Sequence, residues 1–151
     1  MYPDERVVRF ITERFEPVRI HVREQASEWK RLGARYGVEW TPTILIVDGS
    51  SSEERHRIEG FLPVDDFLAQ LELGLARLAF SREQFAEAER RYRGIVERYP
   101  QTETAAEAMY WAGVARYKGT NDAAALAETA RNFRDRYQST SWAKKASVWQ
   151  T

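Results

Sequence analysis

Reactive chemistry is scarce in this sequence. Its 151 residues include no cysteine and only two histidines, so the chain as given forms no thiolate, no disulfide and no thiolate metal site. His21 has Arg19 and Arg23 close by, and His56 lies between Arg55 and Arg57; a cationic neighbourhood disfavours a bound metal ion. Asp65 and Asp66 follow Pro63, a position where carboxylates are favourable charge at a helix start rather than an acid–base pair. No glycine-rich phosphate loop, Ser–His–Asp set or acidic metal cluster stands out, and neither a cofactor nor a metal is expected. What remains is recognition chemistry. Trp40-Thr41-Pro42-Thr43 precedes an apolar run, and Tyr110, Trp111, Tyr117, Phe133, Trp142 and Trp149 form a second aromatic set. Most of that second set is expected in a core, with Tyr110, Trp111 and Tyr117 as candidates for a peptide-binding groove.

The composition narrows the partners. With 43% hydrophobic residues the chain has material for one ordinary core or two small ones. Its 23 basic and 23 acidic side chains cancel, so no overall field recruits nucleic acid or an anionic membrane surface. The β-branched and leucine run Ile44 to Val47, like every other apolar run in the sequence, falls far short of the roughly 20 residues that cross a bilayer. The opening Met-Tyr-Pro-Asp-Glu has no signal-peptide apolar stretch. That favours a cytoplasmic protein for the chain as given, and a periplasmic one if the native chain extends upstream.

Elements able to position these residues follow from hydrophobic spacing. Pro3, Asp4 and Glu5 start a helix whose stripe is Val7, Val8, Phe10, Ile11 and Phe15, broken at Pro17. From Val18 the period becomes two, with Val18, Ile20 and Val22 opposite Arg19, His21 and Arg23, which predicts an edge strand. Gln25 to Tyr36 predicts a helix ended by a left-handed Gly37. Ile44-Leu45-Ile46-Val47 reads as a central strand covered on both faces. Asp48 to Ser52 is a turn, Arg55 to Glu59 a shorter strand, Gly60 a bend, and Pro63-Asp65-Asp66 begins a long helix through Leu78. This order predicts an α/β layered domain over residues 1–78.

These residues carry a resemblance. Tyr36-Gly37-Val38, Thr41-Pro42-Thr43, the apolar strand, the Asp-Gly turn, the short strand, Gly60 and the closing helix resemble the thioredoxin superfamily from its second helix onward. Tyr2-Pro3-Asp4-Glu5 through Phe15-Glu16-Pro17-Val18 is similar to the preceding helix tail and second strand of its thiol-disulfide interchange branch. The resemblance implies that Pro42 is a cis-proline and that Trp40, Thr41 and Pro42 form a loop whose Thr41 backbone pairs with an extended substrate. It also implies a first strand and a Cys-x-x-Cys helix start that this sequence lacks. In that family the first strand separates the strands at Val18 and Ile44, so the gap is expected to be filled by their direct pairing, by a strand from a second chain, or by an upstream part of a longer native protein. The last of these is the expectation.

Residues 79–151 read differently. Arg98-Tyr99-Pro100-Gln101-Thr102 through Ala108 aligns with Arg136-Tyr137-Gln138-Ser139-Thr140 through Ala146, an offset of 38. Each copy spans a helix end, a polar turn and a helix start, with Thr102 and Thr140 as N-cap candidates. Helical stripes run through Phe85, Ala88, Tyr92, Ile95 and Val96, then Met109, Ala112, Gly113 and Arg116 to a stop at Gly119. A third runs through Ala123, Ala127, Ala130, Phe133 and Tyr137, capped by Asn121 or Asp122, and a fourth starts at Trp142. Small residues on these stripes suit closely packed helical hairpins. Phe85, Ala88, Tyr92, Tyr99-Pro100 and Gly113 resemble tetratricopeptide repeats, whereas Gln138 and Thr129 depart from that pattern. The implied architecture is an all-α tetratricopeptide-like region, a solenoid fragment joined to the first domain as one rigid body.

The functional expectation is a thioredoxin-like protein without redox cysteines that holds a protein or an extended peptide. The alternative is the C-terminal portion of a thiol-disulfide oxidoreductase whose Cys-x-x-Cys lies upstream. A homo-oligomer formed through the incomplete sheet or the short solenoid is a further expectation.

Overall fold

A computed structural model describes residues 3–150, so Tyr2 of the amino-terminal resemblance lies outside the described residues. By internal packing the chain divides into two units, Met1–Val64 and Asp65–Thr151.

In the first unit, α1 (Glu5–Arg14) begins where the Asp4 carboxylate accepts the Arg6 N–H at 2.8 Å. The Arg6 side chain and backbone together hold the Asp4 carboxyl below its ordinary pKa. Val7 and Phe10 are the residues of α1 that become buried. The strand expected over Val18 to Val22 does not form: residues 15–21 have no regular structure and a turn follows. Val18 is 84% exposed. A period-two pattern makes a strand only where a ladder satisfies its backbone, and no neighbour pairs with this segment among the described residues. Instead the His21 ring accepts the N–H groups of Arg23 and Glu24 through Nδ1, at 3.3 and 3.2 Å, while the His21 N–H donates to Gln25 Oε1 at 2.8 Å. This local knot leads into α2 (Ala26–Tyr36), which ends on Gly37 at φ +62° as expected.

The sheet has two antiparallel strands, β1 (Thr43–Val47) and β2 (Glu54–Glu59), with Thr43 opposite Glu59 and Ile44 opposite Ile58. Their connection is set by Asp48, whose Oδ1 accepts both the Ser50 N–H at 2.9 Å and the Ser50 hydroxyl at 2.7 Å. The inward face carries Ile46, His56 and Ile58, all buried. Contrary to the central-strand expectation, β1 has one neighbour among the described residues, and Ile46 is the one residue of β1 that is fully buried. An uncharged run therefore does not by itself distinguish a central strand from an edge strand. Arg57 ties β2 to the end of α2, donating to the carbonyls of Tyr36 and Gly37, where a cation meets the negative end of the helix dipole. Glu54 and Glu59 flank this guanidinium, and the Glu54 hydrogen bond is the main cause of its raised pKa.

The second unit is all-helical: α3 (Val64–Ser81), α4 (Phe85–Arg98), α5 (Glu103–Thr120), α6 (Ala124–Asp135) and α7 (Ser141–Ala146), the last running into a 3-10 turn over Ser147–Trp149. Ala69, Leu73, Ala76, Ala88, Tyr92, Ile95, Ala108, Ala112 and Ala115 form one buried cluster. So many alanines at the contacts allow helices to approach closely. One boundary differs from expectation. Helix α5 passes Gly119 and stops at Asn121, which takes the left-handed conformation at φ +56°. Thr102 takes the N-cap position of α5 as expected, in extended conformation, although its hydroxyl donates back to the Tyr99 carbonyl at 2.7 Å rather than accepting a helix N–H. Thr140 does cap α7, accepting the Ala143 N–H at 3.2 Å, and Asp122 accepts the Ala124 N–H at 2.9 Å ahead of α6.

The two sequence copies adopt similar turns. Thr102 and Thr140 each close back onto the tyrosine carbonyl three residues earlier, through both N–H and hydroxyl. The copies also touch, since the Tyr137 hydroxyl donates to the Pro100 carbonyl at 2.7 Å. They part at the tyrosine itself, because Tyr137 alone is left-handed, at φ +61°.

Burial of Tyr92, 1% exposed, raises its phenol pKa well above the ordinary value of 10.0. The unfolded chain ionises this group above about pH 10 whereas the folded protein keeps it neutral, so folding stability falls as pH rises past that point. Thermal denaturation of Tyr92→Phe between pH 9 and 11 is expected to show a flatter loss of Tm than the parent chain.

Candidate functional site

The loop before β1 is built from backbone contacts. The Thr41–Pro42 peptide bond is cis. The Pro42 carbonyl accepts the Gly60 N–H at 2.8 Å, and the Thr43 hydroxyl donates to the Trp40 carbonyl at 2.6 Å. Gly60 sits at φ +83°, where a side chain would be strained. The loop leaves Trp40 70% exposed, Thr41 exposed and Pro42 half-buried, and Phe61, next after Gly60, is 67% exposed.

This contact also fixes which way β1 points its backbone. Antiparallel pairs alternate between hydrogen-bonded and non-bonded positions. Gly60 bonds Pro42 and the Asp48 N–H bonds the Glu53 carbonyl at 2.9 Å, so the even-numbered positions face β2. Thr43, Leu45 and Val47 therefore turn their N–H and C=O groups away from β2, and no further strand pairs there among the described residues. The result is a free strand edge running directly into an exposed Trp-Thr-Pro loop. The model of the thioredoxin-like domain family matches residues 1–75. Residues 1–75 are a thioredoxin-like domain. No curated protein and no solved structure matches the chain.

The thioredoxin-like domain has no cysteine with which to do thiol chemistry. Among the described residues no group of three or more His, Asp or Glu gathers to hold a metal ion, and no helix is long and apolar enough to cross a membrane. Asp65 and Asp66 occupy the first turn of α3, where the positive end of the helix favours them.

In the second unit, Tyr110 and Trp111 meet edge to face at 5.5 Å. Tyr110 also stacks on Trp149 at 4.7 Å and meets Trp142 at 5.3 Å, while Trp111 meets Phe80 at 5.6 Å. All of these rings are half-buried. Tyr117 lies two helical turns beyond Tyr110 and joins none of these ring contacts. A cleft of about 330 Å³ opens elsewhere, among α4, α5 and α6, over a floor that includes Met109, Gly113 and Thr129 and a rim that includes Arg93, Arg116 and Glu128. None of the aromatic candidates lines it. Its sequence signal was the pair of small residues Ala112 and Gly113, legible as packing but not as a hollow.

Proposed function

We propose that this chain recognises an extended peptide segment of another protein. The thioredoxin-like domain would take it by strand addition along β1, with Trp40, Thr41 and Pro42 holding the end of the added segment. The observation that carries this reading is the free edge of β1 continuing into the loop where Trp40 is 70% exposed. Main-chain bonds to Thr43 and Leu45 supply affinity that any sequence can use, and the indole supplies a flat apolar surface that prefers some side chains over others. We assign the second unit as tetratricopeptide-like hairpins. The reading is supported by the matching turns after Tyr99 and Tyr137 and by the glycine at position 113. Its half-buried row from Phe80 to Trp149 is the second surface able to hold a partner.

The test is selection from a displayed library of random linear peptides, followed by amide titration of the labelled full chain with the recovered sequences. Shifts are expected at Thr41, Thr43, Leu45 and the Trp40 indole. Trp40→Ala is expected to weaken binding about thirtyfold, the loss of roughly 2 kcal/mol typical of a central interface aromatic. Binders that perturb only other residues, or whose affinity ignores Trp40, would overturn the reading.

A further inference from the structure

We infer that the cleft among α4, α5 and α6 receives an arginine side chain of a partner protein. Its walls come from three consecutive helices, so the site needs neither the edge of β1 nor the Trp40 loop. At about 330 Å³ the hollow stands at the small end of ligand pockets and suits one long side chain rather than a helix. Its floor is apolar, with Val96 of α4 and Met109 of α5 half-buried along it. Such a floor takes the methylene stem of a charged side chain and leaves the head group to be satisfied at the rim.

The rim selects the head group. Its arginines are already engaged: Arg93 reaches Glu89 and Arg116 reaches Glu128, each at 2.8 Å, while Arg136 lies over the Tyr137 ring and donates to its hydroxyl at 3.0 Å. Glu97 and Asp135, both exposed, have no ion pair and no side-chain hydrogen bond among the described residues. With the Arg93–Glu89 and Arg116–Glu128 pairs neutral, two carboxylates stand against the one guanidinium of Arg136, and the lining keeps a negative balance. The two carboxylates also share one end of the cleft. The Tyr137 hydroxyl donates to the Pro100 carbonyl at 2.7 Å, which holds the end of α6 beside the end of α4; Glu97 closely precedes Pro100, and Asp135 closely precedes Tyr137. A guanidinium suits two carboxylates better than an ammonium does, because its planar fork donates in two directions at once and it is more weakly hydrated.

The probe is Nα-acetyl-arginine amide titrated into the labelled full chain, with the Met109 methyl and the Glu97 and Asp135 amides as reporters. A Kd of about 1 mM is expected, which is what a fragment of this size reaches. The citrulline analogue has the same shape without the charge and is expected to bind about tenfold more weakly, with the lysine analogue between the two. Glu97→Gln and Asp135→Asn are each expected to weaken the arginine probe about threefold, whereas Glu24→Gln, at an exposed carboxylate of the first unit, leaves it within about twofold. All three positions are exposed, so helical circular dichroism is expected to stay unchanged. Equal binding of the arginine and citrulline probes would overturn the inference, as would an affinity indifferent to both Glu97 and Asp135, or a Met109 methyl unmoved at about 10 mM probe. Free L-arginine binding more tightly than the capped amide would overturn the protein source and point to a small guanidino compound instead. Strand addition is read at Thr43 and Leu45, so either reading can fail while the other stands.

Discussion

Replacing Arg91 and Arg98 together by methionine will lower the stability of the second unit by about 3 kcal/mol, while replacing their shared partner Glu72 by methionine will cost under about 1 kcal/mol. The asymmetry follows from who is buried. Glu72, on the inner side of α3, is 5% exposed, and its two oxygens reach Arg98 at 3.1 Å and Arg91 at 3.4 Å on α4. Removing both guanidinium groups strands a carboxylate away from water, the most costly way to break a buried ion pair. Removing the carboxylate instead leaves two arginines whose side chains are 31% and 54% exposed. These can hydrate, and Arg91 keeps Glu87 at 2.9 Å. A methionine at position 72 fills similar volume with no charge to satisfy. Chemical denaturation followed by helical circular dichroism checks the pair. Equal losses for the two variants would mean that the network acts as a simple contact rather than as compensation for a buried charge.

The charge network illustrates what the sequence could convey. Interleaved acids and arginines along α4 read as a solvated face, and for Glu87–Arg90 and Glu89–Arg93 that is what they form. Arg91 and Arg98 turn to another helix, a choice that depends on where α3 lies and leaves no local trace in the spacing. Capping was legible where chemistry is local: Gly37 and Thr140 act within a few residues of themselves. The strand expected at Val18 failed because a strand is defined by its neighbour, and alternation of Val18, Ile20 and Val22 says nothing of whether one is present. For β1 the error ran the other way, since an apolar run marks apolar surroundings without saying how many strands supply them. The thioredoxin-like loop was readable because Trp40-Thr41-Pro42-Thr43 is a compact motif, whereas the outward direction of Leu45 required the hydrogen bond between Gly60 and Pro42 to set the parity.

Gly113→Ala will destabilise the second unit by about 2 kcal/mol, and transferring the glycine to the facing helix with Thr129→Gly will recover more than half of that loss. A β-carbon at position 113 would lie 2.0 Å from Thr129 Oγ1, 2.8 Å from its Cβ and 2.9 Å from its Cγ2. Such contacts cannot be relieved by rotating the threonine, because its Cβ, which χ1 does not move, already lies 2.8 Å away. Thr129 is also fixed from its own helix: it is 6% exposed, and its hydroxyl donates to the Ala125 carbonyl at 2.8 Å. Helix propensity pulls in the opposite direction, since alanine is favoured over glycine in a helix interior by about 1 kcal/mol. A net loss therefore reports overpacking at the α5–α6 contact, which typically costs 1 to 3 kcal/mol or more. Thr129→Gly alone should cost about 1 to 2 kcal/mol through lost contacts and added backbone freedom. The double variant removes all three clashing atoms, so the two changes should couple by at least about 2 kcal/mol. Both residues floor the cleft among α4, α5 and α6. Strict additivity in a double-mutant cycle would mean that the helices separate to admit the methyl group. The close approach of α5 and α6, and with it the tetratricopeptide-like assignment of this hairpin, would then lose its physical basis.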